Sequence, residues 1–325
     1  MSSLLPKKNE LGFYEIRMES IGGLGANVSG KIIAEAGILE MGLNGASFSS
    51  YGSEKKGSPV KAFARFCDVD TVVRVNSPVE SPHLLVIFHE TLLKDPTVTM
   101  GVTDETTVIV NTKKTPAEMR KVLKMHAGTI GCVDALQAAI DSKSRVNTVL
   151  LGSISKASGF LKPEAIKAAM EKAFGRKYAA AMAGNLKAFD LGYDNIVFET
   201  FEADAKFPVR PFERVSPKLG YENAPIGGLV TNPGNTVLKD NSACRQGFIP
   251  VFHKENCTNC GECDLTCPDY CFVWEEDTLK SGKKTVTLQR INYQYCKGCL
   301  KCVVICKHGA LTKGLESEYL EEVNK

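Results

Sequence analysis

Along the first two thirds of the chain, short apolar runs alternate with stretches whose apolar residues recur at helical spacing. Residues 13–22, FYEIRMESIG, read as a strand, and Ala26 to Met41 reads as an amphipathic helix with Val28, Ile32, Ala36 and Leu39 near one face. KAFARFC, HLLVIF and TTVIVNT read as further strands. The last is followed by Thr115-Pro116, a helix N-cap with proline at the first helical position. KPEAIKAAMEKAFG and KYAAAMAGNLKAFDLG read as two helices, each ended by a glycine. This alternation, from Phe13 to about Asp194, predicts an α/β domain with a largely parallel sheet over residues 1–200. From Phe201 to about Pro250 the pattern gives way to Pro, Gly and Asn. Residues 201–250 are therefore expected to form an extended linker or arm, leaving a cysteine-rich domain at 251–325.

Composition narrows the possibilities without naming a function. At 325 residues the chain can bury a core without disulfides. A net charge of +3 with 24% charged residues offers no whole-chain argument for nucleic acid or membrane binding. The opening MSSLLPKKNELGF has no apolar segment of signal-peptide length, and the chain nowhere reaches the ~18 unbroken apolar residues of a membrane span. The expected compartment is the cytoplasm, where clustered thiols hold metal or do redox work rather than pair as disulfides.

Those thiols change the picture. Positions 1–240 hold two cysteines, whereas CTNCGECDLTCPDYC packs five into residues 257–271. Cys257, Cys260, Cys263 and Cys267 follow C-x2-C-x2-C-x3-C, and Cys296, Cys299, Cys302 and Cys306 repeat it 39 residues later. A [4Fe-4S] cube takes four thiolates, and in two-cluster proteins the fourth cysteine of each run serves the other cluster. The first cluster is thereby assigned to Cys257, Cys260, Cys263 and Cys306, and the second to Cys296, Cys299, Cys302 and Cys267. The predicted fold of 251–325 is that of a bacterial two-cluster, ferredoxin-like α+β domain. Paired structural zinc sites are the competing reading, but three close cysteines with a distant fourth is not the paired C-x2-C layout of a zinc ribbon. Cys67, Cys132, Cys244 and Cys271 read as small buried apolar residues. Between the runs, CFVWEE and KTVTLQRI flank DTLKSGK, a hairpin signal.

Charge divides the repeat. Lys254 to Asp277 carries seven acids and one base, while Thr278 to Gly314 carries eight bases and no acid. A basic surface over the second cluster would steer an acidic carrier to it, with Lys297 and Lys301 expected nearest the docked partner.

The loop IGGLGANVSGKI resembles a phosphate-binding loop, but Ile32 stands where a magnesium-binding hydroxyl belongs, and Val28 where a dinucleotide fingerprint needs Gly or Ala. It is read as a tight turn that packs a helix against a strand. Were it to bind phosphate, the alternative function would be a nucleotide-binding sensor domain fused to a ferredoxin-like carrier.

The cysteine repeat, preceded by GGLVTNPGNTVLKDNSACRQGFIPV, resembles the δ subunit of 2-oxoacid:ferredoxin oxidoreductases, the pyruvate:ferredoxin oxidoreductase family. RMESIGGLGANVSGKIIAEA, SYGSEKKGSPVKAFARF, VIVNT and VNTVLLGSISKASGFLKPEAIKAAME resemble its γ subunit, so the chain has the order of a γ–δ fusion. It departs from the family at Lys55-Lys56, in place of an Arg-rich step, and at Cys244, in place of a tryptophan. The resemblance implies an electron-transfer and structural subunit that acts only with α and β partners. Those partners would carry thiamine diphosphate, magnesium and a further [4Fe-4S] cluster. Electrons from oxidative decarboxylation of a 2-oxoacid (pyruvate, or a related acid such as oxalate or 2-oxoglutarate) would leave through the two clusters to soluble ferredoxin. No catalytic acid or base is assigned to this chain.

Overall fold

The computed structural model describes residues 4–51, 57–175, 179–209, 225–228, 239–278, 282 and 284–323. Lys55, Lys56 and half of the expected arm, residues 210–224 and 229–238, lie outside them. The chain divides into two compact units, Met1–Glu213 and Arg214–Lys325.

In the first unit the elements run β1 (Tyr14–Ile21), α1 (Ala26–Glu35), β2 (Asn44–Tyr51), β3 (Pro59–Cys67), β4 (Leu84–Ile87), β5 (Thr107–Asn111), α2 (Pro116–Leu123), β6 (Gly128–Val133), α3 (Ala135–Asp141), α4 (Val146–Ser158), α5 (Pro163–Phe174), α6 (Met182–Asp194) and β7 (Val197–Phe201). The strands form one sheet in the order β2-β3-β1-β4-β5-β6-β7. Strands β1, β4, β5 and β6 are mutually parallel, while β3 pairs antiparallel with both β1 and β2, and β7 antiparallel with β6. Apolar side chains cover both faces. Ile16, Met18, Val86 and Ile109 meet helices α1, α4, α5 and α6, while Leu85, Ile87, Val108 and Ile130 meet Met119 and Leu123 of α2.

The expected strands at β1, β3, β4 and β5 are present, and Thr115 caps α2 in a reciprocal pair with Glu118. Other expectations need correction. After α1 the helix widens into a π turn over Ala36–Glu40, which breaks the 3.6-residue period and rotates Leu39 outward, to 66% exposure. The buried stripe is Ile32, Ile33 and Ala36, and Val28 faces solvent. Helix α6 does not stop at Gly192. A Cβ there would stand 1.8 Å from the Val149 carbonyl of α4, and one on Gly152 would stand 2.0 Å from that of Phe189, so the two glycines let α4 and α6 pack backbone to backbone.

Strand β1 carries Glu15, Arg17 and Glu19 between its apolar residues, yet all eight residues are buried. Arg17 donates to the carbonyls of Glu80 (2.9 Å) and Val98 (3.0 Å) and pairs with Glu19, while Arg65 of β3 pairs with Glu15 at 2.9 Å and donates to Ser77 O. The loops after β3 and β4 are thus tied down over the charged side of the strand, and the charges enter the interior already compensated.

The second unit contains β8 (Phe248–Phe252), α7 (Glu262–Thr266), β9 (Phe272–Thr278), β10 (Lys284–Ile291), α8 (Lys301–Ile305), β11 (Leu311–Leu315) and α9 (Glu316–Val323). Strand β8 pairs antiparallel with β11, and β9 with β10. The latter is the expected hairpin, most of its connecting loop lying outside the described residues. Its core is built on Phe272, Leu288, Ile291 and Leu311 together with the cysteines. Segment 239–252 belongs to this unit. Asn241 donates to Tyr295 O, and the buried Arg245 donates to Cys296 O at 2.8 Å, to Tyr293 O and to Glu316. Among the described residues no helix is long and apolar enough to cross a membrane.

Candidate metal centres

The two cysteine runs repeat in backbone conformation as well as in sequence. Asn259 and Gly298, Gly261 and Leu300, and Tyr270 and Gly309 are three pairs 39 residues apart, and all six residues have positive φ. Such backbone suits glycine, yet each pair holds one non-glycine residue, so the loop shape is imposed by what the loop must enclose. The shape turns amides toward sulfur. Asn259 N–H donates to Cys257 Sγ and Gly298 N–H to Cys296 Sγ, each at 3.4 Å. Short helices α7 and α8 follow at once, each presenting the third cysteine of its run, Cys263 and Cys302, to the interior.

The first three cysteines of each run, together with the fourth of the other, surround a cavity. Cys257, Cys260, Cys263 and Cys306 line the first, with Phe252, Trp274, Leu288 and Leu311. Cys267, Cys296, Cys299 and Cys302 line the second, with Pro250, Phe272 and Ile291. The second cysteine of each run, Cys260 and Cys299, is exposed, and the others are buried or half-buried. The thiols stand around a space, and among the described residues no three Cys, His, Asp or Glu side chains are grouped as ligands of a single ion. Four soft sulfur donors around an apolar-walled void fit the needs of a polynuclear iron–sulfur group.

Burial and hydrogen bonding act in opposite directions on the thiols of the two cavities. Burial pushes the Cys263 thiol up to about 11 and that of Cys302 to about 12, a desolvation cost that bound metal would offset. Cys267 is drawn down to about 6, chiefly by a hydrogen bond from the Cys271 thiol and further by the Cys271 N–H, 3.4 Å from its sulfur. Cys296 is lowered by the same thiol first. Trp274, on the wall of the first cavity, has its indole N–H buried with no acceptor. A sulfide would supply one.

Several residues differ from expectation. Lys297, expected on a docking surface, has a side chain only 2% exposed and pairs with Asp269 at 3.2 Å. The acid lines the second cavity as Lys297 does, and it also holds Lys239 at 3.0 Å. Lys301 and Lys307 remain exposed, and Lys280 and Lys283 lie outside the described residues. Sequence reasoning passed over Trp274 and Asp269, whose roles depend on which cavity wall they reach. It did place Cys271 as buried, but not as part of the second cavity. In the first unit, Ile32 is core and a Cβ on Gly25 would meet Asn147 at 2.7 Å, so the glycine loop serves packing.

Comparison with known proteins agrees with both units. Residues 15–195 match the family model "Pyruvate ferredoxin/flavodoxin oxidoreductase", and residues 256–310 match "4Fe-4S dicluster domain". Pyruvate synthase subunit PorC of Thermotoga maritima is 35% identical over 187 residues, which is 57% of this chain and 95% of PorC. Its crystal structure aligns with a TM-score of 0.51 at 31% identity, covering 57% of this chain and 98% of that one. The common γ subunit of the pyruvate and ketoisovalerate oxidoreductases of Thermococcus litoralis is 35% identical over 173 residues, 51% of this chain and 92% of its own length. Subunit PorD of the T. maritima pyruvate synthase is 33% identical over 102 residues, 31% of this chain and 93% of PorD. The chain belongs to the pyruvate ferredoxin/flavodoxin oxidoreductase family, its γ-type and δ-type parts joined in one polypeptide.

Proposed function

We propose that this subunit carries electrons out of a 2-oxoacid oxidoreductase through two [4Fe-4S] clusters. One is held by Cys257, Cys260, Cys263 and Cys306, the other by Cys296, Cys299, Cys302 and Cys267. The observation that carries the reading is the crossed lining of the cavities, each with three cysteines of one run and the fourth of the other. Bound there, such clusters supply reversible one-electron carriage. The chain's own residues do the rest. Asn259, Gly298 and Cys271 amides donate to ligand sulfurs, Arg245 holds the start of the second run, and apolar walls exclude water. Cys260 and Cys299 give each site an edge at the surface, one for arrival and one for departure.

Thiamine diphosphate, magnesium, a further cluster and the decarboxylation chemistry belong in this proposal to α and β partner subunits, and soluble ferredoxin is the acceptor, with the complex working in the cytoplasm. Pyruvate leads the substrate range, with related 2-oxoacids open. One relative is by name a γ subunit common to two oxidoreductases of different substrate, which supports placing substrate choice on other chains.

Iron and sulfide analysis of the anaerobically prepared chain tests the ligand sets. About eight of each per chain are expected from two four-cysteine sites. Cys267→Ala should disturb the spectrum of the cluster held by Cys296, Cys299 and Cys302. Damage confined to the other cluster would refute the crossed pairing, and zinc in place of iron would refute the assignment.

A further inference from the structure

The 39-residue displacement that brings one cysteine run onto the other continues past the fourth cysteine and pairs Cys271 with Ala310. Each lines a cavity, Cys271 the second and Ala310 the first. Both are buried, at 4% and 3% exposure. At this equivalent position one site therefore has a thiol where the other has a methyl group. Cys271 also touches the second set directly. Its backbone N–H donates to Cys267 Sγ at 3.4 Å, and it lines the second cavity together with Cys267 and Cys296. A cube takes four thiolates, and the second cavity already offers four, so a fifth sulfur there has no iron to claim. A cysteine that ligates no iron is a thiol, and a thiol S–H is a hydrogen-bond donor.

Resting on the cluster assignment above, we infer that Cys271 sets the reduction potential of the second cluster, its S–H donating to the ligand sulfurs of Cys267 and Cys296. A donor to cluster sulfur favours the reduced, more negative state and so raises the potential. Ala310 provides no such donor to the first. The buried Asp269–Lys297 pair also distinguishes the second cavity, but substitution at 271 or 310 leaves it in place.

The test uses the full chain, loaded anaerobically, with iron counting and a potentiometric titration followed by electron paramagnetic resonance. Cys271→Ala should keep about eight irons, lower one of the two midpoint potentials and leave the other. Cys271→Ser, which keeps a donor, should bring that midpoint back toward the wild-type value. Ala310→Cys should raise the midpoint that Cys271→Ala left alone. Unchanged midpoints in a fully loaded Cys271→Ala chain would overturn the inference, as would an equal shift of both. Loss of one cluster's worth of iron from Cys271→Ala would make Cys271 a ligand and overturn it too. A wild-type chain that takes up no iron would remove the cluster assignment itself, a failure seen before any variant is measured.

Discussion

Tyr270 sits 80% exposed in left-handed backbone, φ 50°, where its counterpart in the second run is Gly309 at φ 67°. Left-handed backbone costs a non-glycine residue about 1–2 kcal/mol, and glycine gives back roughly 0.5–1 kcal/mol of that through its looser unfolded chain. Tyr270→Gly is therefore expected to stabilise the loaded chain by about 0.5–1 kcal/mol. The readout is the denaturant midpoint of cluster absorbance, and a lower midpoint would show that the tyrosine ring contributes more than its backbone costs. Leu300 carries the same strain at φ 57°, but its side chain lines the second cavity, so removing it would also remove wall. The glycine of such a pair is readable as a turn. The tyrosine or leucine is not, because its conformation is imposed by the loop around the cysteines.

At the scale of elements, the first unit depends on the close approach of α4 and α6. In Gly192→Ala the new methyl group has backbone, not a flexible side chain, 1.8 Å away. Alanine improves helix propensity by about 1 kcal/mol, but overpacking costs about 1–3 kcal/mol or more, and here the helices must separate. The expected net loss is about 2 kcal/mol, seen as a lower thermal midpoint with iron content unchanged. An unchanged midpoint would mean that the two helices part at little cost. Sequence periodicity passed over α4 because nearly all of VNTVLLGSISKAS is buried, leaving no polar face to set a period. The capping box at Thr115 and Glu118 was legible in part, since a cap is local chemistry.

For the whole molecule, the decisive quantity is where charge lies around the two exposed sulfurs, Cys260 and Cys299. Acidic Glu255 and Glu262 stand near the first in sequence, while Lys301 follows the second and is exposed. Electrostatic steering is screened beyond ~8–10 Å near physiological salt. In the assembled oxidoreductase, Lys301→Glu is expected to slow ferredoxin reduction about three- to tenfold at low ionic strength, the gap closing as salt rises. Reduction of a small neutral dye should be unaffected. Wild-type rates and salt dependence with ferredoxin would show that this basic run is ordinary solvated surface. Lys297→Glu is a different experiment, since it places a second acid against buried Asp269 and tests folding, not docking.

The sequence by itself determined the ferredoxin-like unit, because cysteines at C-x2-C-x2-C-x3-C are bound to one another by the ligand number of a cube, and a doubled run implies two sites. It determined most of the sheet too, because an apolar run of four to eight residues has few other places to go. Tertiary structure alone decided which side of a cavity each neighbouring residue would reach. It drew Lys297 inward to Asp269, put Cys271 on the wall of the second cavity and Trp274 on that of the first, and covered the charged face of β1 with loops whose carbonyls accept from Arg17. Those outcomes depend on partners distant along the chain, and burying a charge is tolerable only where such partners converge, a condition that no local pattern records.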